Sequence, residues 1–152
     1  MHRVLTIIRE LGGIARLSEL ASHGYSPEII GMLVDYGRII RVRKGWYAIT
    51  DTDDALLRAW RVGGRLACVS ALAHHGLGEP DPLALHVSVS RTASRLRTAH
   101  DYRERLAEHP DPAIIVHWTR RPVLGDRRAV DAEFAREQAA LCRSSGAAHD
   151  TL

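Results

Sequence analysis

The sequence predicts an α+β fold, an N-terminal winged helix-turn-helix followed by a small mixed α/β C-terminal region. Three observations carry that prediction. Residues 17–24 and 26–37 read as two helices joined by a short link, His23-Gly24-Tyr25. RIIRVRKGWYAI, residues 38–49, alternates with period two on both sides of Lys44-Gly45, the pattern of a hairpin. Beyond it, apolar runs at 85–90 and 113–118 alternate with charged segments.

The opening segment MHRVLTIIREL places Val4, Leu5, Ile8 and Leu11 on one helical face and meets its stop at Gly12-Gly13. The next helix is signalled by Leu17, Leu20 and Ala21, opened at Ser18 or the residue before it and closed by Gly24. Ser26-Pro27 starts the following helix, because a hydroxyl caps free N–H groups and proline at the first helical position loses no hydrogen bond. Ile29, Ile30, Leu33 and Val34 give it a buried side, and Gly37 ends it. In the hairpin, Ile40 and Val42 are expected inward, with Ile30, Leu33 and Tyr47. Arg38, Arg41, Arg43 and Lys44 are expected on the outer face and tip beside Trp46.

After the hairpin, Asp51 to Asp54 cap a helix bearing Leu56, Leu57 and Trp60 that stops at Gly63-Gly64. Leu66 to Val69 reads as a strand or short apolar segment, and Ser70 as the cap of a brief helix closed by Gly76. GLGEPDPLA is a loop, and Leu85 to Ser90 a strand. Ala113 to Trp118, more continuously apolar, is expected to be a central strand. The stretch between these strands, with Arg91, Arg95, Arg97, Arg103 and Arg105, reads as a solvated loop plus helix rather than a second phosphate-contacting patch. Ala129 to Cys142 closes the fold as a helix with Val130, Phe134, Ala135, Gln138 and Leu141 along one side. Residues 143–152 look like a tail.

Charge points to nucleic acid. The net charge is +3, and residues 1–50 hold seven Lys/Arg against four Asp/Glu, whereas the remainder holds fourteen of each. All of the excess therefore lies on the winged helix, concentrated around one hairpin. A basic hairpin behind a helix-turn-helix places cations against phosphates flanking a groove. The second helix offers no Arg or Lys, only Glu28, Gly31, Met32 and Asp35 on its polar side. Its N-terminus, with Tyr25, Ser26 and Glu28, is then the end available to read bases. Arg16 and Ser18, on the approach to the first helix of the pair, complete the expected DNA-binding set. A protein-interaction module using that acidic helix face is the alternative.

Enzyme chemistry finds little support. A nuclease would want clustered carboxylates beside a lysine, yet the single lysine is Lys44 at the hairpin tip, and neither GxxxxGK[ST] nor GxSxG occurs. His74-His75 with His86 and His117 invites a metal, but adjacent helical histidines point about 100° apart, so core histidines are expected. Cys68 and Cys142 are the chain's two cysteines and have no CxxC partner. That excludes a zinc knuckle or disulfide framework and suggests reduced thiols. No metal, cofactor or catalytic residue is expected. Neither a signal peptide nor a membrane span is seen, so the expected location is cytoplasmic.

The run GGIARLSELASHGYSPEIIGMLVDYGRIIRVRKGWYAI, followed by VSALAHHGL and LHVSVS, resembles the AbiEi-type antitoxin family. More closely it is similar to the actinobacterial winged-helix antitoxin and transcriptional regulator group, as is the later AIIVHWTRRPVLGDRRAVDAEFAREQAALC. The basic strand-Gly-aromatic-Tyr pattern at Arg41 to Tyr47, followed by the helix at Ser70, is the most specific element. The resemblance implies a DNA-binding repressor of its own toxin-antitoxin operon. Double-stranded operator DNA would be its partner, with the protein a monomer in solution or a weak dimer on DNA, and a cognate toxin, if there is one, would be countered without a stable complex. The chain is expected to divide into a DNA-binding domain (1–50), a helical linker with an α/β domain, antitoxin-like by the resemblance (51–142), and a tail (143–152). Many relatives continue into a nuclease-like domain, which is not expected here, and carry arginines on the second helix where Glu28 and Asp35 stand. A phage-borne regulator without toxin antagonism fits the same residues.

Overall fold

A computed structural model describes residues 2–120 and 125–145. The N-terminal elements are α1 (His2–Glu10), β1 (Ile14–Arg16), α2 (Leu17–Ser22), α3 (Pro27–Asp35), β2 (Ile39–Arg43) and β3 (Trp46–Ile49). Local chemistry sets them as the sequence suggests in most places. The Ser26 hydroxyl accepts from the Ile29 N–H at 3.2 Å, and Pro27 occupies the first turn of α3. Gly37, at φ +70°, turns the chain into β2. Gly45, at φ +80°, makes the two-residue wing turn with Lys44. The N-cap of α2 is Arg16 rather than Ser18 or Leu17, because the chain arrives there in a strand.

That strand, β1, was not expected. Its three residues pair antiparallel with β3, giving a sheet of order β1-β3-β2. Both faces of the sheet are covered. Ala15, Ile39, Tyr47 and Ile49 pack with Val4, Ile8, Leu20, Ile30 and Leu33 under the N-terminal helices. Ile14, Val42 and Ala48 pack instead with Trp60 and Leu66 in a second core. The expectation that Ile40 and Val42 share the N-terminal core is therefore corrected: Ile39 fills that place and Ile40 is half-buried. Val42 belongs to the other side. Ile39, Ile40 and Arg41 alternate regularly opposite Ile49, Ala48 and Tyr47, so Ile39 shares the N-terminal face with Tyr47 while Ile40 and Val42 turn to the other covered face. A bulge between Arg41 and Arg43 then takes Arg43 off the face of Arg41.

The C-terminal elements are α4 (Asp54–Val62), β4 (Arg65–Leu66), α5 (Cys68–His74), β5 (Leu85–Ser90), β6 (Ile114–Thr119) and α6 (Ala132–Ser145). Helix α4 packs on β2, β4 and β5, and so joins the two sheets. The second sheet has the order β4-β5-β6, with β5 antiparallel to β4 and parallel to β6. β5, not β6, is thus its middle strand. The polar side of β5 is buried too, because the His86 N–H donates to the Ser70 hydroxyl at 2.9 Å and the His86 ring finds partners of its own. Ser70 consequently sits inside α5, whose N-cap is Ala67.

No helix forms over residues 91–113, where local side-chain bonds outcompete it. The Thr98 hydroxyl donates to the Asp101 carbonyl at 2.9 Å, and Asp101 Oδ1 accepts from the Arg103 N–H at 2.9 Å. In the last helix, Val130 precedes the first turn, Leu141 is exposed and Ala139 is buried instead. α6 also runs on to residue 145, three residues into the expected tail; 146–152 lie outside the described residues.

Candidate nucleic-acid interface

Helices α2 and α3 with the β2–β3 wing make the winged helix-turn-helix. Ser18 and Glu28 are exposed on the two helices, while Tyr25 packs at the margin of the N-terminal core. One lone pair of the Ser26 hydroxyl is spent on the Ile29 N–H, which leaves its own hydrogen to donate outward. The open side of α3 carries Glu28 and Asp35 together with the exposed apolar side chains Ile29 and Met32, and Tyr36 at the C-cap is exposed as well.

The wing cations divide into two kinds. Lys44 is exposed at the tip and Arg38 at the base. Arg41 is exposed over the Tyr47 ring and donates to the Tyr47 hydroxyl at 3.3 Å. The Tyr47 and Tyr102 hydroxyls beside it hold its proton more firmly than usual. Arg43, expected beside Arg41, is turned the other way by the bulge: it donates to the Arg95 carbonyl at 2.8 Å and lies against Gly63. Burial lowers its affinity for a proton, and Arg97 adds repulsion. Arg43 is therefore a structural cation, not a free one. Arg16 stacks on Trp46 with its guanidinium carbon 4.8 Å from the ring centroid, so both flank the wing.

Sequence reasoning did not foresee where the wing tip leads. A cleft of about 1110 Å³ runs from Lys44 and Trp46 between the two sheets, lined by Arg65, Arg91, Arg95 and Arg127 among others. Arg91 and Arg95, read from the sequence as part of a solvated loop, thus share a concave surface with the wing. No local spacing could have shown this, since some fifty residues separate them from Lys44.

The helix pair is held from the far end of the chain. Arg127 donates to Glu19 Oε1 at 2.8 Å, contacts Oε2 as well, and reaches the Ile14 carbonyl at 3.1 Å. The hydrogen bonds from Arg127 pull the Glu19 carboxyl down to about 2 from 4.5, against partial burial and with help from the Arg16 N–H. A depressed carboxyl stabilises the fold above its unfolded pKa, and that contribution is lost as the pH falls from about 4.5 through about 2. With solvent screening it is worth about 1 kcal/mol. Glu19→Gln should flatten the stability profile across this window when denaturation midpoints are compared with the parent. Parallel profiles would mean that the pair does not persist in solution.

Among the described residues, one group has the chemistry to hold a metal. Donor atoms of Cys68, His86, His117 and Cys142 all lie within 4.8 Å of one another. His74 and His75 take no part, and the His75 Nε2 lies 2.8 Å from the Val130 carbonyl. No helix among the described residues is long and apolar enough to cross a membrane.

No curated protein matches the chain. A family model does, and its span coincides with the α1–β3 unit described above: residues 2–50 match the transcriptional regulator, AbiEi antitoxin family.

Proposed function

We propose that the chain is a cytoplasmic DNA-binding repressor of the AbiEi-type antitoxin class, which acts on the operator of its own toxin-antitoxin operon. The observation that carries this reading is the family match over residues 2–50, the segment that forms the winged helix-turn-helix. In it Arg38, Arg41 and Lys44 are exposed on the wing, and Arg16 and Trp46 flank it. These cations would contact phosphates, with Arg91 and Arg95 extending the track along the cleft. Ser18, Tyr25, Ser26 and Glu28 would meet base edges, Glu28 by accepting from a cytosine amino group. The C-terminal region would serve toxin antagonism without a stable complex.

Each phosphate contact releases counterions, so the logarithm of affinity falls with the logarithm of salt by roughly 0.9 per contact. The Arg41→Ala/Lys44→Ala variant should bind duplex DNA from upstream of its own gene more weakly, with a slope shallower by about 1 to 2 units. Arg43 is left intact because it holds Arg95. Glu28→Gln should shift preference between sequences more than it shifts the slope. A folded double variant with unchanged affinity and slope would remove the wing from the interface.

A second reading rests on Ile29, Met32 and Tyr36, exposed at helical spacing along α3 without a cation among them. Such a face suits a protein partner. Its binding would be insensitive to salt and abolished by Met32→Asp, whereas DNA binding would survive that change on the wing.

A further inference from the structure

The chain's two cysteines are 74 residues apart and on different helices, yet both arrive at one point with two histidines. Cys68 is the first residue of α5, His86 lies on β5, His117 on β6 and Cys142 on α6. In the parallel β5–β6 pairing His86 faces Ile115 and Ser88 faces His117. The two histidines are therefore diagonal neighbours on one face of the sheet. Their rings approach with His86 Nδ1 2.9 Å from His117 Nε2. Cys68, His86 and His117 are buried and Cys142 is half-buried.

We propose that Cys68, His86, His117 and Cys142 bind a single Zn²⁺ in a closed tetrahedral site that clamps α5 and α6 onto the second sheet. Zinc held at about 2.0–2.1 Å by imidazole nitrogen and about 2.3 Å by thiolate sulfur separates its ligands by about 3.3–3.8 Å. Four donors already gathered within 4.8 Å need only small side-chain movements to reach that arrangement. A two-iron cluster would set its thiolate pair and imidazole pair on separate irons, whereas this grouping surrounds one centre. Two thiolates and two imidazoles in a tetrahedron select zinc among the common ions.

Two further features fit this role. Asp81 Oδ2 lies 2.9 Å from His86 Nε2, so the carboxylate can accept that N–H and leave Nδ1 as the ligand atom. A histidine oriented by a carboxylate is the usual support of a zinc ligand. Cys68 adopts φ +52°, the single left-handed non-glycine among the described residues, and its N–H donates to Gln138 Oε1 on α6 at 3.0 Å. A side chain is placed in such a backbone state only where its surroundings dictate it. On binding, both thiols release their protons to solvent and both imidazoles bind neutral, with no change of oxidation state. Four protein ligands leave no position for water, so the ion is structural rather than catalytic.

The test uses the full chain, purified without chelator and with reductant. Metal analysis should find equimolar zinc, and Co²⁺ added to the stripped chain should give intense tetrahedral visible bands with thiolate-to-cobalt charge transfer. Cys142→Ser, which leaves the Cys68 thiolate, should lose about half of that charge transfer. Should that variant fail to fold, Asp81→Asn keeps all four ligands and should weaken zinc binding about 10- to 100-fold in chelator competition. A folded, thiol-reduced chain that carries no zinc and gives only the weak spectrum of octahedral cobalt would overturn the proposal.

Discussion

Gly64→Ala is expected to cost about 3 kcal/mol or more and to leave part of the chain unfolded under ordinary conditions. Gly64 precedes β4, where the chain passes against β5 before Arg65 pairs with Ser88. A methyl group there would overlap the Ser88 carbonyl oxygen and crowd Val89. Backbone in a middle strand cannot swing aside as a flexible side chain would. β4 must then move off β5 and give up its hydrogen bonds, opening the core at Leu66 and Val87. Gly78→Ala, where an added methyl meets nothing within 4 Å, is the matched control and should change stability by less than about 0.5 kcal/mol. Urea midpoints measure both, and equal midpoints for the two variants would show that β4 and β5 do not approach as closely as described.

Trp60→Ala should be the costliest change among the core side chains, at about 3 to 5 kcal/mol. Trp60 is 4% exposed on α4, the helix that touches both sheets, and its ring reaches to within contact of Gly13. Its indole N–H donates at 2.8 Å to the carbonyl of Arg127, the arginine whose side chain pairs with Glu19. Truncation leaves a cavity and an orphaned carbonyl together. Trp60→Phe, which fills much of the space but loses the donor, should fall between the parent and alanine in thermal and urea unfolding. A loss below about 1 kcal/mol for alanine would mean that the ring does not anchor α4 in the second core.

The elements legible in the sequence are those governed by near neighbours. Ser26-Pro27 starts α3, Lys44-Gly45 turns the wing, and Ile30 with Leu33 marks the buried side, each within a few residues of its partner. Legibility failed where the cause is distant. β1 is three residues long and exists because β3 lies beside it. Ile39 rather than Ile40 faces the N-terminal core because both faces of this sheet are covered, which alternation alone does not decide, and a bulge that no periodicity reports took Arg43 off the outer face. The candidate site divides in the same way. Arg41 and Lys44 follow from hairpin geometry, but Arg91, Arg95 and Arg127 reach the cleft only through the packing of the second sheet. Cys68, His86, His117 and Cys142 lacked any ligand spacing because α5, β5, β6 and α6 each supply one, and only the parallel β5–β6 register brings the histidines together.

The winged sheet with apolar residues on both faces has a consequence for inheritance as well as for stability. The segment matched by the family model, residues 2–50, contains all three strands of that sheet, but one of its faces is roofed by residues from outside the segment, Trp60 and Leu66 among them. Transplanted alone onto another chain, the winged helix would carry Ile14, Val42 and Ala48 uncovered into water, and Glu19 without Arg127. A recombination that moved it intact would have to bring a lid of matching shape. The covering region is therefore constrained to co-vary with Ile14, Val42 and Ala48 even where it touches no DNA, and the boundary of the recognisable signature is not the boundary of what must be inherited together.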